Sequence, residues 1–165
     1  MRAVRFDAFG GPEVLHVEDI EEPHAGPGQI RIAVKAASVN PIDWKIRAGY
    51  MQQVMPLKFP AIPGSDAAGV VDEVGSGVTG TTVGERVFGL SDTGATAERA
   101  VLTAWAPVPD AWTPQQAAAA GATSETAIRV LNLLGVRAGS TLLIEGAAGG
   151  VGSAAVQLAV ARGPP

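Results

Sequence analysis

The chain has 165 residues, of which 47% are hydrophobic and 17% charged, and its formal net charge is −4. That balance suits a globular core; it excludes a disordered polyelectrolyte and shows no basic footprint of a nucleic-acid binder. Cysteine is absent, which excludes disulfides, thiolate zinc sites, iron–sulfur clusters and a cysteine nucleophile.

The N-terminus carries no apolar run of signal-peptide length, and no later run is long enough to span a bilayer. A cytoplasmic protein with neither membrane nor nucleic-acid partners is therefore expected. Residues 3–6 and 15–19 are short strand candidates. Residues 29–38 alternate, with Ile30, Ile32, Val34 and Ala36 on one face and Arg31 and Lys35 on the other, the period of a half-buried strand. Pro41 suits the first turn of a short helix over 41–48. Residues 66–74, closed by Gly75-Ser76-Gly77, then 85–89 and 97–102, complete a set of short strands at turn-punctuated spacing. Such a set predicts a small barrel or sandwich.

The character changes near residue 113. Thr113-Pro114-Gln115-Gln116 combines a capping residue, proline at the first helical position and glutamine at the third. The pattern predicts a helix ended by Gly121 and a second helix from Thr123 or Ser124 to Leu134, capped by Gly135. Thr141-Leu142-Leu143-Ile144-Glu145 reads as a strand covered on both faces, as in a parallel sheet. A glycine segment follows, and 151–161 reads as a helix of small residues.

Apolar strand, glycine turn and helix, in that order, form the context of a dinucleotide-binding unit. Within Gly146-Ala147-Ala148-Gly149-Gly150-Val151-Gly152 the glycines serve the tight turn, close backbone approach to the pyrophosphate, and packing of the helix. The helix N-terminus offers unpaired N–H groups to the phosphates. The residue that reads the ribose lies about 20 residues beyond such a motif, whereas Gly152 is followed by only thirteen residues. NAD and NADP are therefore not separable from the motif.

Several blocks in order carry a family resemblance. They are the stretch from Pro27-Gly28-Gln29 through Ser38-Val39-Asn40-Pro41-Ile42-Asp43-Trp44-Lys45 to Gly49, then Pro63-Gly64-Ser65-Asp66-Ala67-Ala68-Gly69, Gly84-Glu85-Arg86-Val87-Phe88-Gly89, and the glycine turn. The chain resembles the N-terminal half of a zinc-independent medium-chain dehydrogenase/reductase of the quinone oxidoreductase group. The resemblance implies a mostly β, GroES-like barrel domain over 1–122, followed by the truncated start of an α/β Rossmann coenzyme domain over 123–165. It implies NADPH as cofactor, a small quinone or activated-alkene substrate, and a homodimer for the intact family member.

Zinc-dependent relatives place a metal-binding histidine where this chain has Ser65. His16 and His24 lie apart from other ligand types, and a catalytic zinc needs about three protein ligands, so no metal is expected. Asp66 reads as structural. Without a Lewis acid, developing charge must be spread or held by hydrogen bonds, which suits hydride addition to a quinone, enone or enoyl acceptor.

The resemblance also nominates site residues. Asn40 stands where the family keeps a polar group near substrate and nicotinamide; it can bond a substrate carbonyl or simply cap the helix before Pro41. Lys45 can bring a cation to phosphate or substrate oxygen, or be a solvated lysine. Tyr50 can donate from its phenol or form an aromatic wall. Thr126 matches a threonine that approaches the nicotinamide ribose, or fills an ordinary helix position. Trp44, Trp105 and Trp112 read as packing residues. The expected function is a zinc-free, NADPH-dependent oxidoreductase, present as an N-terminal portion with little activity alone. The alternative is a non-catalytic GroES-like binding or assembly module with a vestigial coenzyme turn.

Overall fold

Short strands separated by glycine turns fill the first part of the chain, as the alternation of its apolar residues dictates. In the computed structural model, which describes residues 1–163, the strands are β1 (Arg2–Arg5), β2 (His16–Asp19), β3 (Ile30–Ala37), β4 (Asp66–Val74), β5 (Arg86–Ser91) and β6 (Arg99–Pro107). The antiparallel pair β1–β2 stands apart, and β3-β4-β5-β6 close into a barrel. Helix α1 (Pro41–Arg47) lies between β3 and β4, α2 (Pro114–Leu133) follows β6, and α3 (Gly150–Ala161) comes last. The chain divides into two compact units, Met1–Ala119 and Ala120–Pro165.

Ile30 and Ile32 of β3 are fully buried, as their alternation with Arg31 predicts. They meet Val71, Val87 and Leu102 in the barrel core. A second cluster joins Ala68 and Val108 to Ala117 and Ala118 at the start of α2. Burying each large side chain contributes about 1.5–3 kcal/mol, which makes these residues the main support of the barrel. Arg31 is only 13% exposed at its side chain and is compensated there. Its Nε donates to Asp72 Oδ1 at 2.8 Å, and it also pairs with Glu73 at 3.0 Å. Arg99 Nε stands 2.6 Å from Asp72 Oδ2, as an ion contact rather than an aligned hydrogen bond.

Three expectations are corrected. Gly121 does not end a helix: α2 runs unbroken through it to Leu133. An interior glycine costs a helix about 0.5–1 kcal/mol, too little to break one flanked by alanines and buried at Ala117, Ala118, Ala127 and Leu131. Residues 141–145 form no strand, and Leu143 is 85% exposed. A strand is a property of pairs, and among the described residues none supplies a ladder to this segment. The last strand lies further on than 97–102, because Ala97 makes only an isolated bridge to Ala3 while β6 pairs with β5 as far as Pro107.

The caps follow the sequence. Thr113 Oγ1 accepts the Gln116 N–H, and Gln116 Oε1 accepts the Thr113 N–H at 2.9 Å. After α2, the N–H groups of Gly135 and Val136 return to the carbonyls of Asn132 and Leu131, a Schellman closure.

Candidate coenzyme turn and substrate-side cluster

Gly146 adopts φ +71°, a left-handed conformation that side chains disfavour. Its carbonyl accepts the Gly149 N–H at 3.0 Å and closes the turn. Gly149 is the N-cap of α3, and the Ser153 N–H bonds back to its carbonyl at 2.8 Å. The N–H groups of Gly150, Val151 and Gly152 occupy the first turn, where no carbonyl within the helix reaches them. A Cβ at Gly152 would sit 2.2 Å from the Gly146 oxygen. Glycine there lets the turn lie against the helix. This cradle fits the pyrophosphate of a dinucleotide on its backbone alone.

Beside the turn lies a cavity of about 430 Å³, walled by Leu131, Leu134, Ile144, Gly146, Gly152 and Ala155. Thr126 is half-buried on α2. The α2 side chain that reaches the turn is that of Thr123, 3.1 Å from where a Gly150 Cβ would stand.

The first unit holds the substrate-side candidates. Asn40 is the N-cap residue of α1. Its N–H donates to Asp43 Oδ2 at 2.7 Å, and Ser65 Oγ donates to Asp43 Oδ1 at 2.6 Å. The Asn40 Nδ2 donates to Ser38 Oγ at 2.7 Å and to Asp66 Oδ1 at 2.8 Å. The Ser38 hydroxyl in turn donates to Asp66 Oδ1. Asp66 is 1% exposed. Its place opposite Ser38 follows from register, since Ala37 pairs with Ala67 and the Ser38 N–H bonds the Asp66 carbonyl.

Lys45 and Tyr50 do not join that network. Tyr50 packs edge-on against Trp44 at 5.7 Å, and Lys45 Nζ stands 5.9 Å from the Trp44 ring centroid. Trp44 is 45% exposed, so it is a surface shelf rather than a packing residue. Trp105 and Trp112 do pack: the first donates to Thr81 at 3.0 Å, and the second lies against Phe88. A wider groove of about 650 Å³ elsewhere in this unit carries Arg5, Lys58, Asp19, Glu21 and Asp92, and none of the expected site residues. His16 contacts Asp7 and Glu18, His24 contacts Glu73, and among the described residues no set of three or more ligand side chains is arranged to hold a metal.

Sequence reasoning missed Ser38 and Asp43 as parts of the Asn40 site. The signal for Asp43 was present, as an acid three residues after a capping asparagine. Ser38 gave none, because its partner Asp66 is 28 positions away.

A closed β barrel followed by a glycine turn at the N-terminus of a helix defines a class: a GroES-like unit joined to the start of a nucleotide-binding unit. Comparison with known proteins makes the assignment specific. Residues 26–128 match the alcohol dehydrogenase GroES-like domain. The chain is 41% identical to quinone oxidoreductase of Rattus norvegicus over 168 residues, covering 99% of this chain and 50% of that protein. Among solved structures, an alcohol dehydrogenase superfamily protein from Novosphingobium aromaticivorans matches with a TM-score of 0.87 and 37% identity, over 99% of this chain and 51% of that one. Escherichia coli quinone oxidoreductase, in complex with NADPH, matches with a TM-score of 0.80 and 32% identity, over 98% and 50%. The chain belongs to the zinc-independent medium-chain dehydrogenase/reductase family, in its quinone oxidoreductase-like branch. It spans about half the length of the curated relatives it matches.

Proposed function

We propose that the chain carries the GroES-like part and the coenzyme turn of an NADPH-dependent, zinc-free oxidoreductase that reduces a quinone, enone or enoyl-type acceptor. The observation that carries this reading is the cradle, in which Gly146 makes the turn and Gly152 keeps it against the helix. When bound, NADPH supplies the hydride. The backbone from Gly146 to Gly152 holds its pyrophosphate, and Thr126 contacts the nicotinamide ribose. Asn40, Lys45 and Tyr50 serve the substrate side. The Lys45 ammonium and the Tyr50 phenol are donors for the oxygen on which charge grows. Conjugation in the acceptor spreads the rest, so no metal is called for.

In the same reading, residues 1–122 form the GroES-like domain and 123–165 the start of the coenzyme domain. The intact enzyme is a cytoplasmic homodimer. No helix among the described residues is long and apolar enough to cross a membrane.

Hydride transfer needs nicotinamide and acceptor held together in a site from which water is excluded. Among its described residues the second unit offers one glycine-rich helix N-terminus and no paired sheet, so the 165-residue chain is expected to bind NADPH but to turn over little. The test is an NADPH titration followed by intrinsic fluorescence and thermal shift, with 1,4-naphthoquinone reduction assayed on the same sample. Saturable binding with negligible turnover supports the reading. Robust turnover contradicts the expected inactivity. Absence of binding favours the non-catalytic GroES-like module with a vestigial turn.

A further inference from the structure

Two exposed aromatic rings and an unpaired cation meet at the end of α1. Trp44 is 45% exposed and Tyr50 73%. Aromatic side chains carry the largest apolar areas, so leaving two of them open forgoes burial that the unit does not recover. Yet the pair is not loose. The Tyr50 N–H bonds the Lys45 carbonyl at 2.9 Å, and the Gly49 N–H bonds that of Ile46 at 3.0 Å, a Schellman closure of the helix. Gly49 permits it with φ +84°, and a Cβ there would stand 3.0 Å from the Phe9 ring. The cap brings Tyr50 back against Trp44, edge-on at 5.7 Å and 81°.

Charge is uneven around this platform. Between Val39 and Gly64 the only acid is Asp43, against Lys45, Arg47 and Lys58, although the whole chain carries −4. Both Asp43 oxygens are engaged, one by the Asn40 N–H and one by Ser65 Oγ. Arg2, Arg5, Arg31, Arg86 and Arg99 of the same unit each face a carboxylate at 2.6 to 3.7 Å. Lys45 is exposed and has no such partner among the described residues; its Nζ lies 5.9 Å from the Trp44 ring centroid. Attraction to the indole holds the ammonium beside the platform without neutralising it.

We infer that Trp44 is a specificity-determining residue: with Tyr50 it forms a fixed aromatic platform, flanked by the Lys45 ammonium, that takes a flat aromatic ligand bearing an anionic oxygen, an enolate or a carboxylate. An exposed charge pair alone is worth little in water, and so is one ring contact. A ligand that offers both at once gains from each, at a surface whose order the helix cap has already fixed. The inference rests on the reading above that Lys45 and Tyr50 serve the substrate side, and it narrows the acceptor to one whose ring stacks and whose substituent is charged.

The test uses the full chain, labelled with nitrogen-15, in which Trp44, Trp105 and Trp112 are the only tryptophans. Loss of one indole N–H signal in Trp44→Leu identifies that of Trp44. Two matched pairs are titrated: 2-hydroxy-1,4-naphthoquinone, ionised at neutral pH, against its 2-methoxy ether, and 2-naphthoate against 2-naphthamide. The anion of a pair is expected to shift the Trp44 signal and to bind about fivefold more tightly than its neutral partner, the effect of one exposed charge pair. The pair that shows this distinguishes an enolate from a carboxylate. Added salt should erase the preference, Lys45→Gln should remove it, and Lys45→Arg should keep it. Trp44→Leu should weaken the anion about fivefold in ligand-observed titration. Gly49→Ala, which strains the cap, should weaken it as well.

Equal binding within both pairs, or an anion preference untouched by Lys45→Gln, overturns the inference. So does undiminished binding by Trp44→Leu. Saturable NADPH binding with no ligand moving the Trp44 signal also overturns it and leaves the proposed function standing. Anion binding at Trp44 without NADPH binding supports the platform and counts against the coenzyme reading instead.

Discussion

Ser65 Oγ donates to Asp43 Oδ1 at 2.6 Å, while the other oxygen of the same carboxylate accepts the Asn40 N–H at 2.7 Å. One side chain of α1 thus ties the loop before β4 to the start of its own helix. The family resemblance sets Ser65 at the position of a metal-binding histidine in zinc-dependent members, and in this structure Ser65 makes a hydrogen bond. Ser65→Ala is expected to lower stability by about 1 kcal/mol, since it removes a bond to a charged acceptor at a half-buried site. Ser65→His is expected to bind no zinc, because no cysteine and no second histidine stands ready to join it and catalytic zinc takes about three protein ligands. Denaturant melts and a zinc titration check both. Stoichiometric zinc binding by the histidine variant would show that a ligand set exists that the fold does not display.

Gly152 and Gly149 give a paired prediction for the cradle. An added Cβ at Gly152 meets the backbone oxygen of Gly146 at 2.2 Å, whereas one at Gly149 meets the same oxygen at an ordinary 3.4 Å. Gly152→Ala is expected to cost about 1–3 kcal/mol through overpacking and to abolish saturable NADPH binding. Gly149→Ala should weaken binding far less. Calorimetric titration of both variants decides it. Equal affinities would show that close packing of turn on helix does not shape the cradle.

Why the cradle was legible and the Asn40 network was not is a matter of range. The turn, the caps at Thr113 and Gly135, and the alternation of Ile30 with Ile32 are local patterns that backbone geometry imposes over a few residues. β4 fell on the expected residues because its apolar run ends in glycines that stop a strand. Ser38, Asn40 and Asp66 meet only through the pairing of β3 with β4, and a register is set by the whole sheet. Residues 141–145 failed in the opposite sense. Their composition is that of a strand, yet β structure exists only between partners. Gly121 failed because a local breaker was weighed without the twenty-residue helix around it.

Acid should loosen the attachment of the N-terminal strand. The Glu98 carboxylate accepts the Arg2 N–H at 2.9 Å and its Nε at 3.2 Å. The backbone bond first, and then the Arg2 side chain, hold the Glu98 carboxyl below its ordinary value of 4.5. A depressed carboxyl stabilises the fold above its unfolded pKa, and the contribution is lost as pH falls through the lower folded value. The link is therefore complete above pH 4.5 and fails below it. Carboxyl titration of Glu98 by NMR should give a midpoint under 4.5, with faster exchange at the Val4 and Glu98 amides on acidification. Glu98→Gln should remove that acid step. A midpoint at or above the ordinary value would refute the link.

The second unit should behave as an apolar surface in water. Leu133 and Leu143 are 79% and 85% exposed, and Leu134 and Val160 are also open to solvent. Each exposed leucine forgoes about 1.5–3 kcal/mol of burial, and large exposed apolar patches seek cover. The chain is expected to bind an environment-sensitive hydrophobic dye and to scatter light increasingly with concentration. Leu143→Glu combined with Leu133→Glu should reduce both signals while leaving the barrel unfolding transition in place, because neither residue lies in its core. A monomer at all concentrations that binds no dye would mean that these side chains are covered within the unit itself.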